Sequence, residues 1–77
     1  MLNKEELLSP LYQKMERLAT EIKDAENYVR RIEEEFSFAG SEDEEERVAR
    51  KYRNACAQRD CLYREREIWK RLCEKIA

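Results

Sequence analysis

The sequence contains no histidine, a single glycine and a single proline. Without histidine, the chain lacks the commonest general base and metal ligand. It also has no glycine-rich phosphate loop and none of the common nucleophile or metalloprotease motifs. Scarce glycine and proline disfavour a strand-rich fold, because such folds need residues that form turns. These absences predict a helical protein that is not an enzyme and that carries no metal or cofactor.

The cysteines and the hydrophobic content predict where the protein is found. Cys56, Cys61 and Cys73 form no CxxC pair, and an odd number does not suit a framework of disulfides. We expect all three to be reduced and to pack as small apolar residues. No apolar run approaches the roughly 20 residues of a membrane span, and the first residues lack the apolar region of a signal peptide. We therefore expect a cytoplasmic protein that does not cross a membrane.

The chain is rich in charge and in regularly spaced apolar residues. Charged residues make up 44% of it and hydrophobic residues 42%, with a net charge of −2. In the first half, apolar residues recur at alternating spacings of three and four, which is the heptad pattern of a coiled coil. They are Leu8, Leu11, Met15, Leu18, Ile22, Ala25, Val29, Ile32 and Phe36. The second half has one apolar rank, Val48, Ala55, Leu62, Trp69 and Ile76, and one mixed rank, Tyr52, Arg59, Arg66 and Cys73.

Capping signals predict where the helices begin and end. Asn3-Lys-Glu-Glu6 and Ser41-Glu-Asp-Glu44 both have the form of a capping box. Ser9-Pro10 is a second start signal, and Gly40 can adopt the left-handed conformation that ends a helix. The prediction is one helix over about 4–38 with a bend or break at 9–10, a turn over about 39–41, and a second helix over about 42–76.

Folding the second helix back on the first gives a register in which both seams match. Phe36 then faces Val48 at the turn, and the facing layers continue to the chain termini. A short connection favours this antiparallel packing. The predicted fold is an all-α, antiparallel two-helix coiled-coil hairpin. Two helices bury little area, so a pair of hairpins would gain by forming a four-helix bundle.

Apolar residues outside the seam are candidates for binding. One set, near the chain termini, is predicted to dock a partner and comprises Leu2, Leu7, Tyr12, Ile68 and Leu72. The alternative is that residues 2–8 fold over this set and make it a local core. A second set beside the seam is predicted to form a homodimer flank and comprises Ala19, Ala49, Cys56 and Tyr63.

Charge divides the chain into an acidic turn and a more basic second helix. Eight acidic residues and no basic residue lie between Glu33 and Glu46. The second helix supplies possible phosphate contacts at Arg47, Arg50, Lys51, Arg53, Arg64, Lys70 and Arg71. Arg59 and Arg66 occupy seam positions, where they either fix the register or bind a partner.

These features favour a small protein-binding module, such as an adaptor, a chaperone-like clamp or an inhibitor, that acts through an exposed helical face. Its expected partner is another protein, together with a second copy of itself. The alternatives are a helical-hairpin dimer that binds RNA or another nucleic acid through the basic face, and a structural spacer in a larger assembly.

Overall fold

A computed structural model describes residues 3–77 as two long antiparallel helices. Helix α1 spans Lys4–Ser37 and helix α2 spans Glu42–Ile76. The hairpin measures 62 × 15 × 14 Å, so it is a rod about as wide as two packed helices. The prediction of an all-α helical hairpin is confirmed.

Helix α1 begins at the predicted cap and runs through Pro10 without a break. The Asn3 side-chain oxygen accepts a hydrogen bond from the Glu6 N–H at 2.8 Å. Pro10 has no N–H to donate to the Glu6 carbonyl, and the exposed position of Glu6 lets water take that place. Residues 4–8 are therefore the first turns of α1. The alternative in which this segment folds back over α2 is wrong for its described residues.

Gly40 in the turn does not adopt the expected left-handed conformation. No residue of the described chain has a positive φ, and α1 ends with the Phe38 N–H donating to the Glu35 carbonyl at 3.1 Å. Gly40 instead donates its N–H to a Glu44 carboxylate oxygen at 3.0 Å. The Glu44 N–H donates in turn to the Ser41 hydroxyl oxygen at 3.3 Å. The second capping box therefore forms, but the Glu44 side chain accepts from the N–H of Gly40 and not from that of the N-cap residue Ser41.

The buried core is a narrow seam. Its buried residues are Leu18, Ile22, Val29, Ile32, Val48, Ala55 and Cys73. Phe36 was predicted to close the seam against Val48, yet 46% of its surface is exposed. It lines a shallow pocket with Ala49 and Tyr52, because no third element covers the seam at this end.

Polar contacts between the helices run along both sides of the seam. From the turn toward the chain termini they are Lys51–Glu35 at 3.1 Å, Tyr52–Glu33 at 3.4 Å, Tyr63–Glu26 at 2.9 Å and Lys14–Glu65 at 3.6 Å. Each exposed ion pair of this kind contributes about 1 kcal/mol or less. Burial of the seam therefore stabilises the hairpin more than these contacts do. Within residues 3–77, neither helix has a segment long and apolar enough to span a membrane.

Candidate protein-binding surfaces

The seam leaves two long flanks of the hairpin uncovered. We call one the groove face; it carries Leu7, Tyr28, Phe38, Ala57, Cys61, Ile68 and Leu72. We call the other the tyrosine face; it carries Tyr12, Ala19, Ala49, Cys56 and Tyr63. Residues seven apart on a coiled-coil helix share a face, which assigns those positions that have no cross-helix contact of their own.

The middle of the groove face is an open groove of about 690 Å³ between the helices. Its floor and walls are mostly apolar: Ala25, Tyr28, Ala57, Cys61 and Leu62. Glu21, Asp24 and Gln58 form its polar rim. The groove exists because alanine stands where larger side chains would fill the space between two helices. Tyr28 also borders the next depression toward the turn, which Phe38 and Lys51 line, so the face is continuous in that direction.

Toward the chain termini, the groove face continues into large exposed apolar residues. Leu7 is 43% exposed, Ile68 59% and Leu72 40%. Ile68 follows Cys61 by seven residues, and Leu72 follows Ile68 by one helical turn. The structure thus brings together three of the five residues predicted as a terminal patch. Tyr12, a fourth, lies on the tyrosine face and borders a pocket with Leu8 and Glu16, while Leu2 lies outside the described residues.

Phe38 is an exposed aromatic residue that the sequence analysis did not select. It lies immediately after α1, at the acidic turn, and is 86% exposed. Its signal in the sequence is an aromatic residue beyond the last heptad position and two residues before the only glycine. Such a residue cannot reach the seam, so any burial it gains must come from another molecule.

The tyrosine face is more polar than the sequence indicates. The Tyr63 hydroxyl donates a hydrogen bond to Glu26 at 2.9 Å, and this bond to a carboxylate raises the pKa of Tyr63 above its ordinary value. The guanidinium carbons of Arg59 and Arg66 lie 5.8 and 5.2 Å from the centre of its ring. The seam arginines therefore direct their heads to an aromatic ring on their own helix, and Arg59 also contacts Asp60 at 3.3 Å.

The other residues of the predicted dimer flank offer little apolar area. Ala19 is exposed, and Ala49 and Cys56 are half-buried. All three side chains are small, and the one large member, Tyr63, is already in contact with charged groups. These four residues are therefore a weaker apolar surface than the groove face, and the larger exposed side chains on the same side are Tyr12, Phe36 and Tyr52.

Five of the seven basic residues of α2 share its outer face, and the other two lie on the flanks. Lys51 lies on the groove face and binds Glu35, whereas Lys70 follows Tyr63 by seven residues and so lies on the tyrosine face. Arg50 is 4.0 Å from Glu46, and Arg71 donates to the Glu67 carbonyl at 3.4 Å. Arg64 lies at heptad spacing from both Arg50 and Arg71, and Arg47 and Arg53 lie beside this row on the side of α2 that faces away from α1. A ligand on this outer face could therefore reach five of the seven residues.

No protein-family model, curated protein or solved structure matches this chain. No group of three or more cysteine, aspartate and glutamate side chains among residues 3–77 is arranged to hold a metal ion. The exposed apolar residues of the groove face are the most distinctive feature of the described surface.

Proposed function

We propose that this chain is a non-catalytic protein-binding module whose groove face receives a helix of another protein molecule. The observation that carries the proposal is the alignment of large exposed apolar residues, from Phe38 to Leu72, along one face. Larger exposed apolar patches on small proteins usually mark interaction sites. A groove between two parallel ridges of side chains suits an amphipathic helix, which would complete a three-helix or four-helix core.

The total surface supports the need for a partner. The hairpin exposes 6365 Å², whereas a compact monomer of 9.4 kDa exposes about 5,000 Å². The excess is of the same order as the roughly 800 Å² per partner that a stable interface buries. An elongated rod has this excess by its shape, and a helix laid along the rod would remove much of it from water. A rigid preformed groove also loses little conformational entropy on binding.

Nucleic-acid binding by the basic residues of α2 has less support. Lys51 and Arg50 already lie near carboxylates. Acidic residues follow Arg53 at heptad spacing and interrupt the basic outer face: Asp60, Glu67 and Glu74. The tip carries eight acidic residues between Glu33 and Glu46, which would repel phosphate. A role as a structural spacer would leave the apolar side chains of the groove face without a purpose.

Photo-crosslinking in cells tests the proposal. A photo-reactive amino acid placed at Gln58, on the rim of the groove, should capture a discrete protein band. The same amino acid at Lys23, which is exposed and not among the groove-lining residues, should capture none. Adding Ile68→Asp should remove the band from the Gln58 variant while circular dichroism stays helical, because Ile68 is 59% exposed. Equal crosslinking from both positions, or none from either, would refute a binding role for the groove face.

A further inference from the structure

We propose that the occupant of the groove face is a second copy of this chain, packed antiparallel so that the acidic turn of each copy lies at the chain termini of the other. This inference rests on the proposed function, because it names the protein molecule that the groove face binds. The two hairpins would form a four-helix bundle with a two-fold axis through the middle of the groove. In that arrangement α1 packs on α1 and α2 on α2.

Charge selects the antiparallel direction. A parallel pair would place the two acidic turns side by side, and each turn carries eight acidic residues without a basic one between Glu33 and Glu46. Like charges at that distance repel. The antiparallel pair separates the turns by nearly the whole 62 Å length of the hairpin, well beyond the roughly 8 Å screening length at physiological salt.

The exposed apolar residues fall at matching distances from the groove. At 1.5 Å per residue, Phe38 lies about 20 Å from Ala25 toward the turn. In the opposite direction, Leu72 lies about 16 Å from Cys61, and Leu7 lies about 27 Å from Ala25. With the axis near Ala25 and Cys61, Phe38 of one copy is placed between Leu72 and Leu7 of the other. The most exposed aromatic residue at one end thus meets the exposed leucines at the other end, twice in the dimer.

Charged residues on α1 match in the same register. Lys14 lies about 16 Å from Ala25 toward the termini, and Glu35 lies about 15 Å from it toward the turn. Lys14 of one copy therefore faces Glu35 of the other, again twice. Their present partners, Glu65 at 3.6 Å and Lys51 at 3.1 Å, are exposed and can share them. Two like-charged pairs also occur on α1 in this register, Arg17 with Arg31 and Asp24 with Asp24 of the other copy, and both lie on the rim of the face, where water screens them.

The face is large enough for a stable dimer. A strip 62 Å long and 15 Å wide amounts to about 900 Å² on each copy, compared with roughly 800 Å² per partner in a standard interface. Near its midpoint the strip is mostly apolar, and two cross-helix ion pairs, Lys51–Glu35 and Lys14–Glu65, bridge it nearer its two ends.

The first experiment compares two alanine-to-arginine substitutions by light scattering. Ala57 and Ala19 are both exposed residues within helices, but Ala57 is in the groove and Ala19 is on the tyrosine face. We expect the unmodified chain and Ala19→Arg to have about twice the 9.4 kDa monomer mass, and Ala57→Arg to have the monomer mass with unchanged helicity. A monomeric unmodified chain at several hundred micromolar, or loss of the dimer in Ala19→Arg alone, would overturn the proposal.

A charge exchange tests the direction of packing. Lys14→Glu should weaken the dimer severalfold because it creates two repulsive pairs with Glu35 of the other copy. The double variant Lys14→Glu/Glu35→Lys should restore the dimer to within about twofold of the original dissociation constant. A dimer that forms but shows no rescue would overturn the antiparallel register.

These experiments can refute the second-copy proposal without refuting the proposed function. If the band captured from Gln58 in cells is the chain itself and Ala57→Arg removes it, both proposals stand. If the band is a different protein and the purified chain is a monomer, the second-copy proposal falls and the binding role of the groove face remains. If the groove captures nothing, both fall.

Discussion

Truncation of one buried and one exposed leucine measures how much of the stability resides in the seam. Leu18 is fully buried, whereas Leu72 is 40% exposed at the groove face. Leu18→Ala removes three carbons from the core, about 2.4 kcal/mol at roughly 0.8 kcal/mol for each. The cavity that remains adds to this, for a total of about 3–4 kcal/mol. Leu72→Ala leaves no enclosed cavity and should cost about 1 kcal/mol.

The assay is urea unfolding followed by far-ultraviolet circular dichroism. Both truncations are made in the Ala57→Arg background, so that self-association does not contribute to the measured free energy of unfolding. A chain of this size has a total stability of about 4–11 kcal/mol, so the Leu18 variant should lose at least a quarter of it. The midpoint should fall about three times as far for Leu18→Ala as for Leu72→Ala, with similar slopes. Equal losses would refute a structure in which the seam is the core.

Three further substitutions test local features of the hairpin. Gly40→Ala should leave the midpoint of thermal unfolding unchanged or raise it slightly, because φ is not positive and an added Cβ would meet only a Glu44 oxygen at 4.0 Å; a loss above 1 kcal/mol would contradict this turn. Pro10→Ala should stabilise the protein by about 1 kcal/mol or more in urea, since it restores a helix hydrogen bond; destabilisation would mean that the chain needs a break there. The raised pKa of Tyr63 implies stability that is present below pH 10 and lost as the pH rises through the folded-state pKa. The pKa of Tyr52 is raised too, so ultraviolet titration should show two late-titrating tyrosines. Glu26→Gln should lower the pKa of Tyr63 alone, an assignment that fails if the titration is unchanged.

The fold follows from the sequence because one physical rule determines most of it. Apolar residues at heptad spacing can be buried only on one stripe of a helix, and a single short turn leaves two such stripes no arrangement other than an antiparallel pair. The caps at Asn3 and Ser41 follow from equally local chemistry, because each side-chain oxygen accepts from an N–H three residues later.

The differences arise where local signals compete or tertiary packing decides. Ser9-Pro10 resembles a helix start, yet the earlier cap at Asn3 already begins the helix, and one exposed carbonyl without a partner costs too little to break it. Phe36 has the right spacing for the core, but the seam ends there and nothing covers it. Gly40 could have taken a left-handed conformation, whereas Phe38 ends the helix in right-handed geometry. Spacing alone does not show where a seam stops.

The candidate site was only partly predictable, because periodicity separates core from surface more clearly than it separates one flank from the other. The spacing predicts that Leu7, Ile68 and Leu72 lie outside the seam, and the position of Tyr12 near the same end groups it with them. Tyr12 lies two heptads before Glu26, whose contact with Tyr63 places this row of α1 on the opposite flank. The groove at Ala25 and Ala57 depends on which alanines from two helices come together, which no single-helix pattern specifies.

Because the hairpin is only two helices wide, its core is small and some of its apolar residues remain on the surface. A two-helix seam buries only one stripe from each helix. The two cross-helix ion pairs, Lys14–Glu65 and Lys51–Glu35, are exposed and add little stability. The large apolar residues on the groove face therefore contribute less to the single hairpin than the seam residues do, and their exposed surface is unfavourable in water. A polar residue at Ile68 or Phe38 would serve a solitary hairpin better. Their presence on the same face as the groove is most simply explained if this side of the hairpin packs against another molecule and forms a larger core with it.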